Sequence, residues 1–370
     1  MGSPSGPVEH MNGGWMEKRV AVVGGDGIGP EVIQQAVRVA EAAIGRHGIG
    51  LSLEAWDLGA ERYLREGMTI TEDEKARLIG EYDGMLLGAL GDPRVPNQIH
   101  AREILLALRF EADLYINFRP CTLYLPHLSP LKNPAPDIDI IVFRENTEGL
   151  YTNLGGRFKA GTPDEIAVQE SVNTYKGVER IIRAAFEYAV THGRERVTLV
   201  DKANALPHAG ALWRRVFRDV GAGFPDHRQD AMYVDAMAMD LVRRPEEYDV
   251  LVTSNLFGDI LSDLGAQVTG GLGLAPSANL HPGRWALFEP VHGSAPDIAG
   301  TGTANPLAAI RCISLLFETL GEEEAARTVE GALGEALAAG VLTPDLGGSH
   351  STEEVGGWIA ERVGEGSQGA

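Results

Sequence analysis

The stretch Arg19-Val20-Ala21-Val22-Val23-Gly24-Gly25-Asp26-Gly27-Ile28-Gly29-Pro30 runs a short apolar segment straight into a glycine-rich turn. The segment reads as a buried strand, and a helix follows the turn. Pro30 falls in the first helical turn, where a missing N–H costs nothing, and Val32, Ile33, Val37 and Ala40 share one face behind it. A strand–turn–helix unit of this kind suggests dinucleotide binding, but the spacing argues against a Rossmann site. Gly25-x-Gly27-x-Gly29-Pro30 is not G-x-G-x-x-G, and Pro30 stands where the third glycine belongs. No clear ribose-binding acid closes the second strand, although Asp57 lies nearby. The turn is either a tight connection or a place where bare backbone meets a ligand.

Outward from this unit the same rhythm repeats. Strand candidates at 51–56, 84–90, 139–143, 196–200 and 250–253 alternate with helical stretches at 72–78, 176–191 and 209–219. The alternation predicts an α/β fold with a largely parallel sheet and helices on both faces. The span 151–173 breaks the rhythm. There Gly155-Gly156, Gly161 and Pro163 surround short β-prone pieces, as in a long surface loop or a projecting hairpin. No Pro/Ser-rich linker divides the chain, so two lobes would require it to pass between them and return.

Composition narrows the functional classes. The 370 residues are 44% apolar and 23% charged, which is ordinary for a globular protein. Against 52 Asp+Glu there are 32 Lys+Arg, a net charge of −20 that repels phosphate backbones and argues against nucleic-acid binding. Small anionic substrates remain open, because they need only a few local arginines. No apolar run approaches the roughly 18 residues that cross a bilayer. Cys121 and Cys312 cannot build a disulfide framework, and no Cys/His spacing suggests zinc. Residues 1–16 are rich in Gly, Ser and Pro without a signal-like apolar core, and read as a flexible extension; 364–370 look similarly loose. A cytoplasmic location is the simplest expectation.

Two constellations carry chemistry. In Asn255-Leu256-Phe257-Gly258-Asp259-Ile260-Leu261-Ser262-Asp263-Leu264, Asp259 and Asp263 stand at i and i+4 on one helix face. Like charges at that spacing repel, and the apolar flanks argue against a merely solvated face. A divalent cation with oxygen ligands, Mg²⁺ or Mn²⁺, resolves the conflict. Asp235, alone among apolar neighbours in Tyr233-Val234-Asp235-Ala236-Met237, suits a third ligand, though a single Asp there is more often a helix cap. The second constellation is Arg109, Arg119 and Arg144, each in apolar or mixed context near an element end. Any one of them alone would usually answer a neighbouring Glu. Three together in an acidic chain suit a dicarboxylate, which guanidinium forks bind in two-pronged fashion.

Five segments then carry a resemblance: Gly25-Asp26-Gly27-Ile28-Gly29-Pro30-Glu31, Arg144-Glu145-Asn146-Thr147-Glu148-Gly149, Asp201-Lys202-Ala203-Asn204, Gly258-Asp259-Ile260-Leu261-Ser262-Asp263 and Glu289-Pro290-Val291-His292-Gly293-Ser294-Ala295-Pro296-Asp297. In this order they resemble the β-decarboxylating dehydrogenases, which include isopropylmalate, isocitrate, homoisocitrate and tartrate/D-malate dehydrogenases. The match runs from about Lys18 to about Gly348.

The resemblance implies the isopropylmalate dehydrogenase-like, non-Rossmann α/β fold, with two lobes and a β-arm for dimerisation. The cofactor lobe would be 17–114 plus 271–365, and the substrate and metal lobe 115–270, with the arm at 152–173. It implies a homodimer, alone or paired into a tetramer, whose active sites draw on both chains. Arg109, Arg119 and Arg144 would hold the malate carboxylates, and Asp259 and Asp263, with Asp235 of the other chain, the metal. Lys202, also from the other chain, would take the C2 hydroxyl proton, and Tyr151 would protonate the enol after CO₂ leaves.

NAD contacts would come from Ile28, Glu289, His292, Gly293, Ser294, Ala295, Asp297 and Asn305. Members using NADP carry a basic residue where Asp297 stands. A carboxylate accepts ribose hydroxyls but repels a 2′-phosphate, so NAD is expected. The C3 substituent would be read by the helix carrying Arg102, Leu105, Leu106 and Arg109, which share a face at i, i+3, i+4 and i+7 in a regular helix. The two leucines match an isopropyl group, and 3-isopropylmalate is the first expectation. Arg102 stands where an acidic residue is usual. It would suit an anionic tail, as in homoisocitrate or a phosphonate, or else lay its stem along the leucines with its head in solvent.

Overall fold

The computed structural model describes residues 18–365, so the extension read at 1–16 and the last residues of the tail lie outside it. Residues 364 and 365 close the helix Thr352–Glu365. Ten strands form one sheet: β1 (Lys18–Val23), β2 (Leu51–Ala55), β3 (Gly84–Leu87), β4 (Ile116–Thr122), β5 (Asp139–Glu145), β8 (Arg196–Asp201), β9 (Arg228–Tyr233), β10 (Val250–Thr253), β11 (Pro276–Leu280) and β12 (Ala286–Pro290). Between β5 and β8 the chain makes a separate antiparallel ribbon, β6 (Gly155–Phe158) with β7 (Ile166–Gln169). The span that broke the rhythm is therefore a hairpin.

The order across the sheet is β2-β1-β3-β12-β11-β4-β5-β10-β8-β9. Both flanks are parallel, as the βα alternation requires. The centre differs from the largely parallel expectation, since β12, β11, β4 and β5 run antiparallel to one another. These central strands carry Asn117, Arg119, Pro120, Pro276 and Asn279, residues that usually mark loops. Here their polar side chains are needed on one face of the sheet.

The register makes that face. Alternation along β4 sends Ile116 and Phe118 into the larger core cluster, against Phe143, and leaves Asn117 and Arg119 on the opposite side. Asn117 pairs across with Arg144 on one neighbour and Asn279 on the other. The apolar side is covered by helices, among them Gly29–His47, Tyr175–Thr191 and Leu307–Thr319, the last buried along nearly its whole length. In the first, Val32, Ile33 and Ala40 are buried as their spacing predicts, while Val37 only packs against the margin.

Candidate active site

The polar face of the central strands floors a cleft of about 300 Å³, lined by Arg109, Arg119, Arg144, Tyr151, Asp259 and Glu289, with Leu105 and Leu106 on one wall and His292 and Gly293 on another. Each guanidinium meets neutral or acidic partners, and the helix Asn255–Val268 serves both Arg119 and Arg144. Arg144 donates from Nε and Nη2 to Asn255 Oδ1 at 3.0 and 2.7 Å, and from Nη1 to Asp259 at 2.6 Å. Arg119 donates to Asn117 Oδ1 at 2.7 Å, Ser262 Oγ at 2.9 Å and Asp263 at 3.2 Å. Arg109 has a single weak contact, to Glu289 Oε1 at 3.5 Å, and its Nε has no partner. Burial lowers the pKa of Arg109, and with the neighbouring Arg119 lowers that of Arg144 to about 10; both remain cations at neutral pH. Three buried positive charges this close, one with an unpartnered donor, call for an anion.

Helix Asn255–Val268 supplies the acids. Asp259 and Asp263 leave the same face, as their spacing predicts, and face the arginines. Burial raises the Asp263 pKa; Arg119 opposes the rise and Asp259 adds to it. Two hard oxygen donors one turn apart, one reluctant to ionise beside the other, fit a divalent cation. Among the described residues, no group of three or more His, Cys, Asp or Glu is arranged to hold a metal, so any third ligand comes from outside this cluster. Tyr151 donates to Asp259 Oδ2 at 3.1 Å and lies against Arg144. Burial, reinforced by Asp259, raises its pKa, so the phenol keeps its proton at neutral pH.

Lys202 and Asp235 are not in this cleft. Lys202 lines a separate hollow of about 330 Å³ with Asn173 and Trp213, and its ammonium donates to Asp235 at 2.5 Å. Asp235 opens helix Val234–Arg243, is exposed, and has its pKa lowered by the bond from Lys202. One chain therefore carries two separate sets of the expected site residues.

Of the residues expected to contact the cofactor, Glu289, His292 and Gly293 line the cleft. The 24–29 turn packs against other segments of its own chain. Gly27 has φ +58°, and a Cβ there would lie 1.9 Å from the Ser294 carbonyl oxygen, which accepts from Ile28 N at 2.8 Å. The turn is a tight connection, its bare backbone packed against the 292–297 loop of the same chain. His292 is mostly buried with Nε2 unpartnered, and burial lowers its pKa. Ala295 takes a left-handed φ of 37°, and Asp297 follows it, exposed, in the turn Pro296–Ile298. Asn305 is buried; its carboxamide accepts from Leu307 N at 2.9 Å and donates to Asp345.

With this geometry in place, comparison with known proteins decides the family. The model of the isocitrate/isopropylmalate dehydrogenase family matches residues 19–359. The chain belongs to that family. It is 47% identical to the 3-isopropylmalate dehydrogenase of Thermobifida fusca over 350 residues, covering 94% of this chain and 98% of the relative. It is 48% identical to that of Beutenbergia cavernae over 347 residues, covering 93% and 98%. Among solved structures, the isocitrate dehydrogenase of Methylococcus capsulatus superposes with a TM-score of 0.85 at 38% identity, covering 94% of this chain and all of the other.

One expectation about the isocitrate/isopropylmalate dehydrogenase cleft needs correcting. The helical stretch 99–111 is not regular, because Arg102–Leu106 forms a π-turn. A π-turn fits about 4.4 residues per turn and shifts the face by one position. Ala101, not Arg102, therefore joins Leu105, Leu106 and Arg109 in the lining, and Arg102 is exposed. The residues that orient the arginines, Asn117, Asn255 and Ser262, were not singled out from the sequence. A polar residue two places before Arg119 on a strand was the available signal for Asn117.

Proposed function

We propose that the chain oxidises and decarboxylates 3-isopropylmalate to 2-oxoisocaproate, using NAD and Mg²⁺ or Mn²⁺, the leucine-biosynthesis type of reaction. The observation that carries this reading is the cleft wall, where Leu105 and Leu106 stand beside three buried arginines. The arginines match two carboxylates of a malate, and the leucines match an alkyl group on C3. Each buried methylene adds about 0.8 kcal/mol, so an isopropyl group gains a few kcal/mol over bare malate. A charged tail finds no cation there beyond the three arginines that answer the malate carboxylates, since Arg102 lies outside the lining. The 3-isopropylmalate dehydrogenases at 47–48% identity support the same choice.

Residue roles follow from chemistry. Arg109, with its unpartnered Nε, and Arg119 and Arg144 bind and orient the carboxylates. Asp259 and Asp263, with Asp235 of a second copy, hold the cation. Lys202 of that second copy would accept the C2 hydroxyl proton. Tyr151, protonated at neutral pH, delivers a proton to C3 after CO₂ leaves. Bound NAD would supply the acceptor for the C2 hydride, and a bound cation would supply charge stabilisation as CO₂ departs. Ile28, Glu289, His292, Gly293, Ser294, Ala295 and Asn305 would hold the dinucleotide, and Asp297 would accept its ribose hydroxyls.

We further propose a homodimer with shared sites and a cytoplasmic location, its lobes divided at 114/115 and 270/271. The ribbon and two helices leave Leu154, Phe158, Ile166, Val168, Met239, Val242 and Ile260 exposed, an apolar surface suited to a second copy. No helix of the described residues is long and apolar enough to cross a membrane. A turnover panel of 3-isopropylmalate, homoisocitrate, isocitrate, tartrate and D-malate tests the reading. The expected result is highest kcat/KM for 3-isopropylmalate; an acidic-tail substrate ranking first would overturn it.

A further inference from the structure

Outside the cleft one buried carboxylate ties four segments together. Asp26, in the glycine-rich turn, has a side chain 3% exposed and no cationic Lys or Arg partner. Its Oδ1 accepts from the Ala60 N–H at 2.7 Å, at the start of helix Ala60–Glu66. Its Oδ2 accepts from the Gly91 N–H at 2.8 Å and lies 2.7 Å from His100 Nε2. A buried carboxylate needs its lone pairs met by donors, so the ring carries a proton on Nε2. His100 is fully buried, and its Nδ1 has no partner. An apolar residue at 100 would avoid the orphaned Nδ1 but would take a donor from the buried Asp26 carboxylate, so the imidazole and the carboxylate are retained as a pair.

Position shows what the pair joins. His100 immediately precedes Ala101, the first cleft-lining residue of the stretch that continues through the π-turn to Arg109. Asp26 is two residues from Ile28, which is bonded to the Ser294 carbonyl of the proposed NAD loop. The Nε2–Oδ2 bond is a direct link between the cofactor turn and the cleft helix. A π-turn is hydrogen-bonded i→i+5 and offsets the register of the helix around it, so an anchor at its N-terminal end bears on which residues face the cleft.

We propose that His100 and Asp26 are positioning residues, a latch that holds the Ala101–Arg109 wall in register with the dinucleotide turn, so that loosening it weakens substrate and NAD binding together. This rests on the proposed reading of the cleft. Neither residue touches the reacting atoms, so the proton chemistry of turnover stays in place when the latch is lost.

The test compares His100→Leu, which removes the donor, with His100→Gln, whose amide nitrogen can take the place of Nε2. His100→Leu is expected to raise KM for both 3-isopropylmalate and NAD on the order of ten- to a hundredfold, with the pH profile of kcat unmoved. His100→Gln is expected to recover most of both affinities. Amide exchange over 99–109 and 24–29 should quicken in His100→Leu and not in His100→Gln. If His100→Leu does not fold, His100→Asn, whose shorter side chain falls short of Asp26, takes its place with the same expectation.

Unchanged KM values in the leucine variant would overturn the proposal. So would equal impairment of the leucine and glutamine variants, which would mean packing alone, or a moved pH profile, which would mean a direct proton role. Calorimetric NAD affinity and the exchange measurement need no turnover. A wild-type enzyme that is inactive on 3-isopropylmalate would therefore count against the reading of the cleft, while the latch is still judged by those two arms.

Discussion

The cleft and the Lys202–Asp235 pair both set cations against carboxylates, but they are built in opposite ways. In the cleft the side chains of Arg109, Arg119 and Arg144 are 5%, 10% and 2% exposed, and the last two are fixed by strand register with Asn117, Asn255 and Ser262. Asp235 is 62% exposed, and Lys202 reaches it at the protein surface. An exposed ion pair contributes about 0–1 kcal/mol, too little to be kept for stability alone. The buried set is fixed within one chain, whereas the exposed set is free to exchange partners when another surface docks. That difference suits an active site assembled from two copies of the chain.

The largest effects should separate the two regions by activity and stability together. Lys202→Ala is expected to lose about 10²–10⁴ in kcat, with a melting temperature close to wild type because its pair is exposed. Arg144→Leu is expected to lose comparable activity and also to lower stability by about 2–3 kcal/mol, since it strands Asp259 and Asn255. Equal melting temperatures for the two variants would break the contrast. Chelation comes next. EDTA-treated enzyme should lose turnover and regain it with Mg²⁺ or Mn²⁺; full activity after verified metal removal would contradict the reading of Asp259 and Asp263.

The Asp259/Asp263 pair is easier to read in the sequence than the floor of the cleft, whereas Lys202 stands out only through the motif that carries it. Asp259 and Asp263 follow from helical spacing, and the parallel flanks from βα alternation. The central antiparallel strands did not show, because Asn117, Asn279, Pro120 and Pro276 carry loop chemistry into a sheet whose polar face is the site itself. The π-turn was equally hidden: Arg102 and Ala101 exchange places through one extra residue per turn, and no residue type in 102–106 announces it. Local pattern therefore located the acids and arginines but not the scaffold that aims them.

Smaller effects sharpen these points. Asp297→Ala should narrow the preference for NAD over NADP by on the order of tenfold, the size of one exposed charge–charge repulsion with its lost hydrogen bond. Parallel kcat/KM measurements with both cofactors check it, and an NADP-preferring wild type would reverse the assignment. Arg102→Leu should change kcat/KM for 3-isopropylmalate less than about twofold, as expected of a surface substitution. A large loss there would place the guanidinium in the cleft after all.

Subunit mixing tests the shared site most directly. Lys202→Ala and Asp263→Ala chains are each expected to be inactive alone. Mixed one to one under conditions of verified exchange, half the dimers become heterodimers, each with one intact site, so about a quarter of wild-type activity should return. If exchange is complete and no activity returns, the two charged regions do not meet across a dimer, and the account of a shared active site is wrong.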